Sequence, residues 1–197
     1  MELLDKVFES KNYGSFKIVK YTSYMNVDIE FISTKFQTKA NMNNIKKGLV
    51  MDYLYPSVCG VGFIGVGQFE AKTNRDLYIR WAHMLERCGE YENYKDVSVC
   101  TSWYNFQNFA SWSIKQAGYS RNSQLDKDLL IKGNRVYSPD TCCYVPHRVN
   151  SLVIKSSGVK EDGLPCGVIW VARGGLYKAS YRGLNSERFQ YWTKSLE

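Results

Sequence analysis

An α+β fold is predicted for this chain of 197 residues, on two changes of hydrophobic period. Early residues alternate apolar and polar side chains, as half-buried strands do. From Thr73 the apolar residues recur at helical spacing. Strand-like runs return in the tail. Three small parts are expected: a β-rich domain over 1–72, helices and a ββα unit over 73–154, and a β-rich tail over 155–197.

In the first part, FKIVKY (Phe16 to Tyr21) and VDIEFI (Val27 to Ile32) alternate in period two, with Tyr24-Met25-Asn26 as the turn. A third apolar run spans Leu49 to Tyr55. Then comes VCGVGFIGVGQF, with Gly60, Gly62, Gly65 and Gly67. It contains a GxGxxG match. A nucleotide loop needs a strand before it, a helix directly after it and an acid some twenty residues on. That context is missing, so the glycines read as turns and bulges.

In TNRDLYIRWAHMLERC, residues Leu77, Trp81, Met84, Leu85 and Cys88 share one helical face. Thr73 or Asn74 is the expected N-cap, with Asp76 in the first turn. A second helix is expected in WYNFQNFASWSIKQAG, with Trp103, Phe106, Phe109, Ala110 and Trp112 facing the core and Gly118 as its stop.

Leu125 to Asn150, LDKDLLIKGNRVYSPDTCCYVPHRVN, reads as strand, turn, strand and helix start. Two carboxylates stand at its front and a Cys pair near its end. The tail is expected to give two strands, GVIWVA and LYKASY, then a short helix from Ser186 to Leu196.

The order of motifs resembles a family of phage and prophage proteins known as HNH endonucleases or homing-endonuclease-like proteins. The matching residues are Tyr78, Trp81, Met84, Arg87 and Cys88; Val99, Cys100, Trp103, Phe106 and Phe109; and Leu125, Asp126, Tyr137, Ser138, Pro139 and Cys142. They cover about residues 75–150. The resemblance implies metal-dependent cleavage of DNA by a ββα unit: a carboxylate and a helix residue hold one divalent ion, Mg²⁺ or Mn²⁺, and a His deprotonates water. Asp126 stands at the carboxylate position. Lys127 stands at the base position, and a Lys, protonated near neutral pH, suits a phosphate better than a proton. Thr141 stands where the pattern puts an Asn or His ligand. Asp128 and Asn134 are the substitute metal-ligand candidates and His147 a further catalytic candidate; any of the three is a candidate for the missing ligand or base.

The tail LPCGVIWVARGGLYKASYRG resembles the start of the ethylene-response-type DNA-binding domain, which lays a three-stranded sheet in the major groove; here the module reads as shortened. Arg135 and Arg148 in the central unit, and Arg173, Lys178 and Arg182 in the tail, are the candidate DNA contacts. Double-stranded DNA is the expected partner. The rival expectation is a non-catalytic phage protein that binds DNA or a host defence protein.

Composition bears on the same question. The net charge of +7 suits a polyanionic partner. It is spread as +2, +2 and +3 over residues 1–72, 73–150 and 151–197, with no dense basic arm. No secretory pattern opens the chain and no stretch approaches the ~18 apolar residues of a membrane span. An intracellular protein is expected, and the resemblance implies the cytoplasm of an infected bacterial cell. The six Cys are then thiols or metal ligands. Cys88, Cys100 and Cys142 are a candidate structural zinc set; the alternative is buried thiols in the core.

Overall fold

The computed structural model describes residues 3–91, 95–147, 150, 164, 168–182 and 187–195. The fold is α+β, and the chain divides into two compact units, Met1–Tyr144 and Val145–Glu197. The expected β-rich part and most of the expected central part lie within the first unit, each around a core of its own.

The first unit opens with a four-stranded antiparallel meander: β1 (Val7–Ser10), β2 (Gly14–Ser23), β3 (Asn26–Phe31) and β4 (Gln37–Ala40). The alternation predicted at Phe16 and Val27 falls on β2 and β3. Their inward side chains, Phe16, Ile18, Val27, Ile29 and Phe31, are fully buried. They meet Met42 and Ile45 of α1 (Met42–Lys47), a helix too short to show a sequence period. Local signals set its ends. Asn41 accepts the Asn44 N–H at 2.8 Å, and Gly48 closes it at φ 65°.

The apolar run Leu49–Tyr55 is not a strand. Asp52 sits in its middle and is buried. Its carboxylate accepts the Thr34 hydroxyl at 2.5 Å and the Leu54 N–H at 2.8 Å. A carboxylate that draws in a neighbouring N–H makes a turn, which breaks the extended period.

A second core forms around α2 (Arg75–Glu90) and α3 (Phe106–Ser113). Leu77, Trp81, Met84 and Leu85 are buried on one face of α2, as its period predicts. Asn74 is the N-cap and Asp76 lies in the first turn. Trp103, on the 3-10 turn Thr101–Tyr104, packs with Phe106, Phe109 and Ala110. The Trp81 indole N–H donates to the Trp103 carbonyl at 2.6 Å.

The glycine run wraps this core as turns and isolated bridges, as its context predicted: Val58 bridges Gly62 and Phe63 bridges Asn105. The buried Gln107 amide donates to the carbonyls of Ile64 (3.1 Å) and Phe69 (2.8 Å) and accepts the Phe69 N–H at 3.0 Å. A Cβ on Gly67 would overlap the Gln107 side chain, so glycine is the residue that lets the loop close on it.

The second helix ends at Ser113, short of the expected stop at Gly118. Gly118 serves a different need. A Cβ there would collide with the Tyr144 backbone carbonyl, so glycine is required for close approach of two chain segments and not for a helix cap.

Four short strands complete the unit: β5 (Ser98–Val99), between α2 and α3, and after α3 β6 (Ser123–Asp126), β7 (Val136–Tyr137) and β8 (Cys143–Pro146). The two strands flanking the expected turn do not pair with each other. β6 pairs with β8, and β7 pairs in parallel with β5. The reason is burial: Tyr137 and Val99 are both core residues, and the parallel pair places them together.

The second unit carries an antiparallel meander of β9 (Val168–Val171), β10 (Leu176–Arg182) and β11 (Arg188–Thr193), in the order β11-β10-β9. The expected last helix is therefore a strand. RFQYWT is rich in aromatic and β-branched residues, and it gains six backbone partners along β10. Among the described residues, no helix is long and apolar enough to cross a membrane.

Trp81→Ala should destabilise the first unit by about 3–5 kcal/mol in urea unfolding, since it empties the centre of the second core and orphans the Trp103 carbonyl. A pH dependence is also expected. Burial pushes the Cys142 thiol up from 9.0 to about 11 and the Tyr144 phenol up from 10.0 to about 12. The folded state keeps protons that the unfolded chain loses first. Stability should hold below pH 9 and fall as pH rises from 9 to 12, and Tyr144→Phe should flatten the upper part of that fall in urea titrations at stepped pH.

Candidate functional site

The strand β6 is set in place from α2. Arg80, one residue before the core Trp81, donates its guanidinium hydrogens to the carbonyls of Ser120 (2.9 Å), Arg121 (2.6 Å) and Ser123. The same guanidinium lies over the rings of Tyr119 (5.9 Å) and Tyr144 (5.5 Å). The turn that leads into β6 is thereby tied to a helix, and β6 delivers Asp126 at its end.

From Asp126 the chain makes a closed loop that returns at Val136. Asp126 Oδ1 accepts the backbone N–H of Asp128 at 2.8 Å and of Leu129 at 2.7 Å. The Asn134 amide donates to the carbonyls of Lys127 (2.9 Å) and Val136 (2.7 Å), and its Oδ1 accepts the Val136 N–H at 3.3 Å. Lys127 Nζ reaches Asp128 Oδ2 at 2.7 Å and the Asn134 carbonyl at 3.2 Å. Its side chain is only 11% exposed, and it lies 6.0 Å from the Tyr137 ring centroid.

Asp126, Lys127, Asp128 and Asn134 are thus brought together, but as members of one hydrogen-bonded loop. Lys127 pairs with Asp128, not with Asp126. Asn134 uses both ends of its amide on backbone groups. Thr141, at the expected ligand position, laces the neighbouring turn: its hydroxyl donates to the Val136 carbonyl at 2.7 Å and lies 2.9 Å from the Ser138 hydroxyl. Among the described residues, no group of three or more His, Cys, Asp or Glu side chains gathers in a metal-holding arrangement. Each carboxylate of the loop keeps one oxygen, Asp126 Oδ2 and Asp128 Oδ1, without a hydrogen bond among the described residues.

The remaining candidates are dispersed. His147 is exposed and follows β8 directly. Arg148 lies outside the described residues. Arg135 is exposed and faces Asp96 at 3.8 Å. Cys142 is buried, and Cys88 and Cys100 pack half-buried against the same core. Burial raises the Cys88 thiol, against the lowering by Arg87 and Lys127; burial and then Asp126 raise Cys143. Cys88, Cys100 and Cys142 act as core side chains here and do not converge as a set.

No protein-family model, curated protein or solved structure matches this chain.

The C-terminal sheet presents the other candidate surface. Pairing places Ile169, Lys178 and Trp192 side by side on one face, with Gln190 and Arg188 following along β11. Lys178 Nζ lies 5.0 Å above the Trp192 ring. The opposite face carries Trp170, Tyr177, Tyr191 and Phe189, with the Trp170 and Tyr177 rings 4.7 Å apart. Arg173 is exposed in the turn Ala172–Gly174 between β9 and β10. Arg182 ends β10, its backbone opposite Arg188. Arg188, Gln190 and Trp192 are not singled out from the sequence because the segment is expected to be a helix, which would not align them on one face. Its alternation of Arg, Gln and Trp against Phe, Tyr and Thr is the available signal.

Asn134→Ala removes three bonds to the backbone of the loop. The change should cost about 1–3 kcal/mol and speed amide hydrogen exchange over residues 127–136, while exchange in β2 and β3 stays unchanged.

Proposed function

We propose that this chain is a double-stranded-DNA-binding protein of the phage HNH-like type, in which the loop after Asp126 serves as architecture and the C-terminal sheet contacts DNA. The observation that carries this reading is the third strand, β11. It completes a three-stranded antiparallel sheet where two strands and a helix were expected, which is the arrangement that the resemblance of the tail implies for a DNA reader. One face of that sheet combines Lys178, Arg188 and Gln190 with an exposed Trp192. Cations there would meet phosphates, and Gln and Arg have the donors to meet base edges.

Metal-dependent cleavage is the second reading. Asp126 Oδ2 supports it, because that carboxylate oxygen accepts no hydrogen bond among the described residues and would be the atom to face Mg²⁺ or Mn²⁺. Weighing against it, Lys127 is held by Asp128 and Asn134 by the backbone, so neither is poised as base or ligand.

Two measurements decide. The protein should retard duplex DNA in a salt-dependent manner, and Lys178→Gln with Arg188→Gln should reduce the log K against log salt slope by about 0.9 for each phosphate that is no longer neutralised. Plasmid incubated with Mg²⁺ or Mn²⁺ should remain intact with wild type and with Asp126→Ala alike. Nicking by wild type that the variant lacks would establish the second reading instead.

A further inference from the structure

The meander of the first unit ends on an open edge. β4 is the last strand in the order β1-β2-β3-β4. The Phe31 N–H donates to the Phe36 carbonyl at 2.9 Å, and Thr38 and Ala40 stand opposite Ile29 and Val27. Alternation along an antiparallel ladder therefore turns the backbone groups of Phe36, Thr38 and Ala40 toward β3, and those of Gln37 and Lys39 away from it. The Gln37 and Lys39 backbone groups have no partner among the described residues. β4 contains no proline, and its pairing with β3 runs without a bulge, so the edge is a template for one more extended strand. A groove of about 390 Å³ lies against it, walled by Thr38, Ala40 and the exposed Met25, Leu49, Met51 and Tyr53.

The side chains of the edge are complementary to themselves in one register. A second copy that pairs antiparallel about a two-fold axis can be centred on Gln37, Thr38 or Lys39. Centred on Lys39, the pairing sets Lys39 opposite Lys39; centred on Gln37, it sets Lys39 opposite Lys35. Like charges directly opposite destabilise a pair of strands. Centred on Thr38, it sets Lys39 opposite Gln37, and each such pair exchanges both of its N–H···O=C bonds. Gln37 donates its amide N–H to Glu30 at 2.7 Å, which leaves its amide oxygen to accept Lys39 of the second copy. Lys39 lies 4.0 Å from Asp28 and is otherwise solvated, so the register seats its cation between Asp28 and the second copy's Gln37–Glu30 pair. On the other face Thr38 meets Thr38, and the small Ala40 meets the large Phe36.

We propose that the chain forms a two-fold dimer in which β4 pairs with β4 of a second copy about Thr38, joining the two meanders into one continuous sheet. Such a contact is closed and isologous: the same patch serves both copies. The axis stands perpendicular to the sheet, so the two grooves adjoin on one side of it and their apolar walls meet. The proposal is independent of the DNA-binding reading, because the edge belongs to the first unit and the sheet of that reading to the second.

Sedimentation velocity of the full chain, without DNA, tests it. Wild type should pass from monomer to dimer as its concentration rises. Lys39→Glu places a third carboxylate between Asp28 and Glu30, and Lys39→Pro removes an outward N–H without taking a bond from β3. Each should weaken dimerisation about tenfold or more. If Lys39→Pro does not fold, Lys39→Glu carries the comparison alone. The register is read by cross-linking. Directly opposite residues of a non-hydrogen-bonded pair lie close enough for a disulfide. Thr38→Cys should therefore give a covalent dimer under mild oxidation, while Gln37→Cys and wild type, with its native thiols, should not. A wild type that stays monomeric at the highest concentration overturns the proposal and leaves the edge to a strand from another protein. A dimer that both Lys39 variants keep at full strength, or that Thr38→Cys fails to cross-link, overturns it as well.

Discussion

The contact on which the first unit depends is the burial of Trp81 against Trp103 and Phe106. Trp81 is fully buried, its ring is 5.3 Å from that of Phe106, and its one polar atom is satisfied by the Trp103 carbonyl. A large ring with a single donor can lie at the centre of a core only if that donor finds a partner. Here the partner is the backbone of the 3-10 turn, so one side chain fixes both the packing of α2 and the position of the chain entering α3. The glycine run then closes over the same core through Gln107. Removing the indole would therefore loosen segments far apart in sequence.

The neighbouring residue transmits that order outward. With Trp81 locked inward, Arg80 projects from α2 onto the turn at Ser120–Ser123. Its planar fork serves three carbonyls at once, which a Lys would not do. The turn fixes the start of β6, and β6 fixes Asp126. From there the order is carried by polar side chains bonding to backbone: Asp126 to two N–H groups, Asn134 to two carbonyls and one N–H, Thr141 to the Val136 carbonyl. The loop is thus built from the residue types that a metal site would use, arranged so that most of their capacity is taken by the chain itself. A carboxylate that accepts backbone N–H groups shapes a turn; one facing a metal must keep its lone pairs outward.

The two units differ in how they use aromatic residues. In the first, Trp and Phe are buried and give stability. In the second, Trp170, Trp192, Tyr191 and Phe189 remain exposed on a three-stranded sheet, and Lys178 lies over one of the rings. Exposed aromatics on a small sheet supply contact area at low entropic cost, the property useful to a surface that meets a ligand.

What the sequence determined by itself was whatever depends on local period. The inward faces of β2, β3 and α2 were legible because alternation at two and at 3.6 residues survives into burial; the turn character of the glycine run was legible because no helix follows it. Asp126, Lys127 and Asn134 were singled out as a group by the resemblance of their motif. Only the tertiary structure decided which partners they took, because a carboxylate or amide bonds to backbone that is set by distant chain, here β5, β8 and Arg80. The same holds for β11: the aromatics of RFQYWT lean toward a strand, and six pairs along β10 fixed it as one. Gly118 shows the limit most plainly. Its residue type signalled a special backbone position, and only the folded chain, by bringing the Tyr144 carbonyl against it, showed that the requirement was space.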